Sequence, residues 1–456
     1  MNITSINPTT GKILKEFPEL TPTELTSKLD GASAAFKNWK KTSFEERREL
    51  LLKVAEILRS NKAAYARIMA LEMGKRLEDG MAEIEKSAKV CEYYAQNAAE
   101  MLKTEIVPTE AQESLITFEP LGVILAVMPW NFPFWQVFRC AAPAIMAGNS
   151  VVLKHASNVP ESALAIQEVF SSALAPAGLF QTLLISSAQV PGIISDPRVR
   201  MVSLTGSEAA GASVASLAAK HIKKAVLELG GSDAFIVLDD ADVAKAAEAA
   251  ATSRMIVSGQ SCIAAKRFIV AKSMAPKFIE LFKQNLEQKK LGDPLDPTTG
   301  VGPLSSAQAV VTIDHQVTQS IKLGAKLITG GKKPAGPGFF YPPTILTQVT
   351  EEMPVMVEET FGPVAAVMVV KDDVEALRVA NNSRYGLGAS VWTKSLERAN
   401  YFISNLEVGA VFVNTFVKSD QRMPFGGAKF SGFGKELSVY GLKEFVQFKT
   451  VWIEPV

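Results

Sequence analysis

Twice along this chain, short apolar strands alternate with helices, and that double rhythm limits the fold more than any other feature. The first run begins at Leu121. Residues 123–128 are apolar and lead into Pro129-Trp130-Asn131-Phe132-Pro133, then a helix, then a second apolar strand at 151–153. The alternation continues through 183–185, 201–204, a small-residue helix after Ser207, and 225–227. The second run starts near Ala234 with a strand at 235–238, an alanine-rich helix from Asp242, a strand at 268–270 and a charged helix from Pro276. Strands at 364–370 and 410–413 extend it. Apolar strands separated by helices build parallel sheets covered on both faces, with sites at the carboxyl ends of the strands. The expected fold is therefore α/β, with two units of similar architecture.

The remaining segments supply scaffold. Residues 21–103 place charged and small apolar residues at helical spacing, which predicts two or three amphipathic helices. The glycine- and proline-rich piece 332–343 reads as a loop. At the carboxyl end, 445–453 alternates Val, Phe, Val and Ile with Gln, Lys and Thr. A strand left over at a chain end is expected to pair with a neighbouring chain.

Composition removes several classes of function. With 48 Lys and Arg against 47 Asp and Glu, no global field attracts a polyanion, so nucleic-acid binding is not expected. Two long uncharged stretches, 120–138 and 169–195, are broken by proline and polar residues and read as soluble core, not membrane spans. Residues 1–12 show no basic cluster before an apolar run, so no secretory signal is expected. Cys91, Cys140 and Cys262 are too few and scattered for a disulfide framework, which suits a reducing, cytoplasmic setting. His155, His221 and His315 have no metal-ligand spacing, and no metal site is expected.

Four features could carry chemistry. Cys262, in Ser258-Gly-Gln-Ser-Cys, has small neighbours that leave its sulfur approachable, although a lone free cysteine is more often a buried core residue. Glu228 ends a strand and precedes Leu229-Gly230-Gly231, so its carboxylate lies at a sheet's carboxyl edge. Asn131 has an amide able to donate to a developing oxyanion, or merely to its own turn. The run 203–211 reads as strand, tight Gly206-Ser207 turn and helix start, whose free N–H groups suit a phosphate.

In their order these motifs are far more specific than singly. Pro-Trp-Asn-Phe-Pro, Leu-Thr-Gly-Ser, Glu-Leu-Gly-Gly, Gly-Gln-Ser-Cys, Glu-Glu-Thr-Phe-Gly-Pro-Val (358–364) and Pro-Phe-Gly-Gly-Ala-Lys-Phe-Ser-Gly-Phe-Gly-Lys-Glu (424–436) resemble the aldehyde dehydrogenase superfamily over essentially the whole chain. Glu228 and Cys262 stand 34 residues apart, as in that family. The resemblance implies two Rossmann-like α/β domains, one for coenzyme (1–102 and 120–229) and one catalytic (230–435). A small β oligomerisation element (103–119 and 436–456) would join subunits into a homodimer or homotetramer.

It also implies roles. Cys262 matches the nucleophile, Asn131 with the Cys262 N–H the oxyanion site, and Glu228 the base that activates water. Glu359 and Phe361 match contacts to the nicotinamide end, and Gly206 and Ser207 the pyrophosphate contact. Trp130, Lys154 and Leu229 match further cofactor contacts. Two departures stand out. Many relatives have lysine where this chain has Cys140, in a proton path with a glutamate matching Glu436, so that path must be altered or absent here. Relatives with a second cysteine two residues after the nucleophile form a redox disulfide, and this chain has Ala264 there.

NADP is expected over NAD as cofactor. Many NAD-using relatives carry glutamate three residues beyond Lys154, and here Ser157 removes that repulsion toward a 2′-phosphate. Lys154 and His155 lie close enough in sequence to add positive charge. The expected substrate is a small aldehyde with a distal carboxylate, such as succinic semialdehyde. Arg139, eight residues after Asn131, resembles the carboxylate contact of the succinate-semialdehyde dehydrogenase branch, and Ser419 a second polar contact. A half-buried guanidinium needs an anion, which could equally be a protein carboxylate. The second arginine of some branch members is replaced by Ile256, with Arg254 two positions earlier. The alternatives are a broad-range short-chain aldehyde dehydrogenase, a coenzyme A acylating relative, which Glu228 argues against, and a non-catalytic structural relative.

Overall fold

The computed structural model describes residues 2–455. Four helices, Pro22–Trp39, Phe44–Ser60, Lys62–Met73 and Leu77–Met101, occupy the segment in which two or three were expected. Only Asn61 separates the second from the third, a break too short for periodicity to reveal. The first two begin at capping boxes. Thr21 and Ser43 accept from the N–H of Glu24 and Glu46, whose carboxylates return to the cap N–H groups.

The first strand-helix run forms a six-stranded sheet. Its order is Gly432–Phe433, Lys224–Glu228, Val199–Thr205, Val123–Met128, Ser150–His155 and Phe180–Thr182. All neighbours are parallel except the edge pair Gly432–Phe433 with Lys224–Glu228. The strand expected at 183–185 lies three residues earlier. Leu183 and Ile185 are buried all the same, because apolar residues report burial whether or not they join a ladder.

The second run forms a seven-stranded sheet, ordered Lys326–Thr329, Thr344–Thr347, Val364–Val370, Arg267–Ala271, Ala234–Val237, Gly388–Trp392 and Ala410–Val413. Only the edge strand Lys326–Thr329 is antiparallel. Separate apolar clusters cover both faces of each sheet, which is why the central strands are apolar without alternation. Residues 229–233 alone connect the strand ending at Glu228 to the first strand of the second sheet.

The uncharged stretch after Pro120 is core, as expected. Every residue of the helix Pro133–Met146 is buried. Among the described residues no helix is long and apolar enough to cross a membrane. The terminal strand Val446–Ile453 pairs along its length with Glu113–Pro120 of the same chain, with Phe118 edge-on to Phe448 at 5.5 Å. Among the described residues no strand pairs with its other edge.

Candidate active site

Two cavities meet at Cys262. One, of about 290 Å³, is walled by Phe132, Trp135, Arg139, Lys86, Ser419 and Phe425 among others. The other, of about 280 Å³, is walled by Trp130, Asn131, Gly206, Ser207, Glu359 and Phe361, with Thr205, Leu229 and Gly230. Cys262 and Gln136 line both.

The cysteine is presented by a strained turn. Val257 and Ser258 take left-handed backbone angles, φ 50° and 55°, followed by Gly259 at φ 80°. A Cβ on Gly259 would fall 2.3 Å from the Gly362 backbone, so only glycine fits there. Strain of this kind persists only where surrounding structure imposes it. Ser258 Oγ donates to the Gly302 carbonyl at 3.0 Å, and the segment that follows is fixed by Lys266, whose Nζ donates to the carbonyls of Ser261 at 2.9 Å, Cys262 at 2.7 Å and Ala264 at 3.1 Å. Burial pushes the Cys262 thiol up to about 12, against the opposing pull of Lys266 and Arg139.

Asn131 lies on the turn between the strand Val123–Met128 and the helix Pro133–Met146. Its Nδ2 donates to the Gln260 carbonyl at 2.9 Å, two residues before the cysteine, and an amide nitrogen has a second N–H to offer. The turn is held from outside. Glu83 accepts from the N–H groups of Phe134 at 2.8 Å and Trp135 at 3.0 Å and pairs with buried Lys75, which lies over the Phe132 ring.

Glu228 sits apart from these groups. It is buried, its carboxyl oxygens have no hydrogen-bond partner among the described residues, and it lines neither cavity. Burial and the neighbouring Glu436 raise it to about 8, opposed by Arg139 and Lys435.

In the second cavity, Glu359 Oε1 accepts from the Gly231 N–H at 3.0 Å and lies 3.6 Å from Lys266. Phe361 stands edge-on to Trp130 at 5.7 Å. Ser207, which lines the chamber beside Gly206, caps the helix Glu208–Lys220, whose first N–H groups have no acceptor within the helix backbone. Lys154 lies within the strand Ser150–His155 and exposed Ser157 two residues past its end, both outside the two cavities. Burial alone lowers the Lys154 ammonium, with no acidic group beside it. His155 corrects the expectation of added charge. Its Nδ1 accepts from Ala156 N–H, its Nε2 therefore donates to the Pro133 carbonyl, and burial lowers it to about 4, so it is neutral.

Arg139 lines the first cavity, but its anion is already supplied. Its guanidinium pairs with Glu436, both side chains being buried, and stacks over Phe425. The alternative of a protein carboxylate thus applies, and the physical argument for an external anion loses its force. Arg254 faces away, donating to the Gly259 carbonyl at 2.6 Å. Cys140 is buried beside Glu436 and Ser203.

Lys86 escaped the sequence reading. Its Nζ donates to Ser419 Oγ at 2.6 Å and lies 4.3 Å from the Trp135 ring centroid. The available signal was Asp79, Glu83 and Lys86 at helical spacing on Leu77–Met101, a charged stripe on a helix with an otherwise buried face.

The whole chain is similar to known proteins. The model described as the aldehyde dehydrogenase family matches residues 1–451. A protein of Synechocystis, described as a probable NADP(+) succinate-semialdehyde dehydrogenase, is 50% identical over 453 residues, covering 99% of this chain and 100% of that protein. A Mycobacterium ulcerans protein described as NADP(+) succinate-semialdehyde dehydrogenase 1 is 45% identical over 99% of this chain and 100% of its own length. The crystal structure of succinic semialdehyde dehydrogenase from Streptococcus pyogenes in complex with NADP+ superposes with a TM-score of 0.97 at 41% identity, over 99% and 100% of the two chains.

Proposed function

The chain belongs to the aldehyde dehydrogenase family, and from that premise we propose that it oxidises succinic semialdehyde to succinate with NADP, through a thioester on Cys262. The observation that carries the reading is the position of Cys262 between a cationic chamber and a chamber with an open helix N-terminus.

The residues of the second chamber fit a nicotinamide dinucleotide. Gly206, Ser207 and the helix start would hold the pyrophosphate, Glu359 the nicotinamide ribose, and Phe361, Trp130 and Leu229 the flanking apolar surface. Lys154, buried without an acidic neighbour, and Ser157 would meet the adenosine ribose and its 2′-phosphate. When bound, NADP supplies the acceptor for the hydride.

Cys262 attacks the aldehyde carbon as thiolate, and the carbonyl π electrons move to oxygen. The free Asn131 N–H and the Cys262 N–H receive that oxyanion, each donor contributing about 3 kcal/mol. Loss of hydride leaves an acyl thioester. Glu228 then takes a proton from water, whose oxygen adds to the thioester carbon and expels the thiolate. Since Glu228 lines neither chamber, its side chain must turn toward the cysteine for this step.

The cationic chamber would receive the distal carboxylate, with Arg139 and Ser419 in its wall. Reduced-cofactor absorbance on mixing tests the reading. Higher kcat/KM with NADP than NAD, and with succinic semialdehyde than butanal, is expected. Equal rates with both aldehydes would make a broad-range short-chain enzyme the better description.

The same reading divides the chain into a coenzyme domain (1–102 and 120–229), a catalytic domain (230–435) and an oligomerisation element (103–119 and 436–456). The open edge of Val446–Ile453, with Phe448 and Trp452 exposed, supports a homodimer or homotetramer, which light scattering would measure. Three free cysteines suit the cytoplasm.

A further inference from the structure

We propose that Lys86 is a specificity-determining residue, its ammonium pairing with the distal carboxylate of the substrate while Ser419 and Trp135 hold it in place. This rests on the reading of the site as one for a short semialdehyde.

The argument is one of charge already spent. Two carboxylates lie near Lys86, and each belongs to another cation. Glu83 pairs with Lys75, and Asp420 with Arg422 at 2.7 Å. Lys86 itself has no carboxylate within 4 Å among the described residues. It faces Arg139 as a like charge, and its strongest contacts are a neutral hydroxyl and an indole face. Burial and the Arg139 charge lower it to about 8, so it is mostly protonated at neutral pH and unneutralised. An unpaired, half-buried ammonium in the wall of the cavity that also holds Cys262 is a site for an anion.

Ser419 keeps its role in a modified form. By accepting from Lys86 it fixes the direction of the side chain, and its own hydroxyl hydrogen remains available to the carboxylate. Lys289, the other lysine in this wall without a carboxylate within 4 Å, sits instead with Arg76 and Asp79, which pair with each other at 2.7 Å.

The test reads the ratio of kcat/KM for succinic semialdehyde to that for butanal, with NADP saturating. Activation of the cysteine and of water is common to both substrates and cancels in the ratio. Lys86→Met should lower the ratio by about tenfold or more, the size of a lost charge-assisted contact. Lys86→Arg should retain most of it, and Lys289→Met should leave it unchanged. In the wild type the ratio should fall as pH rises through about 8, where Lys86 loses its charge beside Arg139, Glu83 and Asp420. Lys86→Arg should abolish that fall, because arginine stays charged. The pH arm needs no variant that must fold. A wild-type preference that is flat across pH 8 and survives Lys86→Met overturns the role of Lys86 alone. Absence of any wild-type preference for the semialdehyde overturns the functional reading as well.

Discussion

Arg139 and Glu436 form an ion pair whose side chains are 2% and 1% exposed, within the electrostatic reach of Glu228. One guanidinium therefore opposes the rise that burial imposes on two carboxyl groups. The chain has Cys140 where many relatives have lysine, and Arg139, one residue earlier, supplies a fixed positive charge to Glu436.

Removing that charge should be costly. Arg139→Leu leaves Glu436 buried and unpaired, and should lower stability by about 3–5 kcal/mol. Activity with butanal should fall together with activity on succinic semialdehyde. Adding Glu436→Gln should recover part of the stability. Urea unfolding of the single and double variants measures this, and a single variant as stable as the wild type would refute the structural role.

Glu228 should make activity rise with pH. A carboxyl raised to about 8 is mostly protonated at neutral pH and accepts a proton only once ionised, so deacylation should accelerate through pH 8. Glu228→Gln should lose this limb and accumulate acyl-enzyme, visible by intact mass.

The same group sets a stability trend of definite sign. Because its folded pKa lies above the unfolded value, its favourable contribution is whole below about 4.5 and is lost as pH rises through about 8. Glu228→Gln should therefore gain stability over the wild type above that range and match it in acid. Denaturant midpoints across pH that show the opposite order would refute the assignment.

Cys262 should alkylate slowly in the cofactor-free protein. With its thiol held near 12, iodoacetamide labelling should climb with pH without a plateau below about 10. Cys91 and Cys140 are fully buried and should stay unlabelled in the native state, so Cys262→Ala should abolish native labelling. Peptide mapping decides between the three.

Ser157→Glu should reverse the cofactor preference. A carboxylate at this exposed position repels a 2′-phosphate and accepts from ribose hydroxyls, so NADP efficiency should fall by about tenfold or more. Retained NADP efficiency in this variant would place the 2′-phosphate elsewhere.

Much of this site was legible in the chain because local chemistry carries it. The turn carrying Asn131, the strand end at Glu228 and the helix start at Ser207 each depend on a few consecutive residues. So does the alternation that predicts two covered sheets, since each strand's burial shows in its own composition. The exact strand near residue 180 did not show, because Leu183 and Ile185 are buried beyond its end, where the Leu183 N–H still donates to the Leu153 carbonyl.

What only the tertiary structure decided is which charges remain unspent. The sequence alone determined the two α/β sheets and the order of the motifs, because periodicity and turn chemistry act over a few residues. It could not assign Arg139 to Glu436, neutralise His155 or withdraw Glu228 from both chambers. Lys86 and Ser419 lie 333 residues apart in the chain and meet only when the helix Leu77–Met101 packs beside the loop before Phe425. Electrostatic interaction and burial depend on distance through space, which no local pattern encodes.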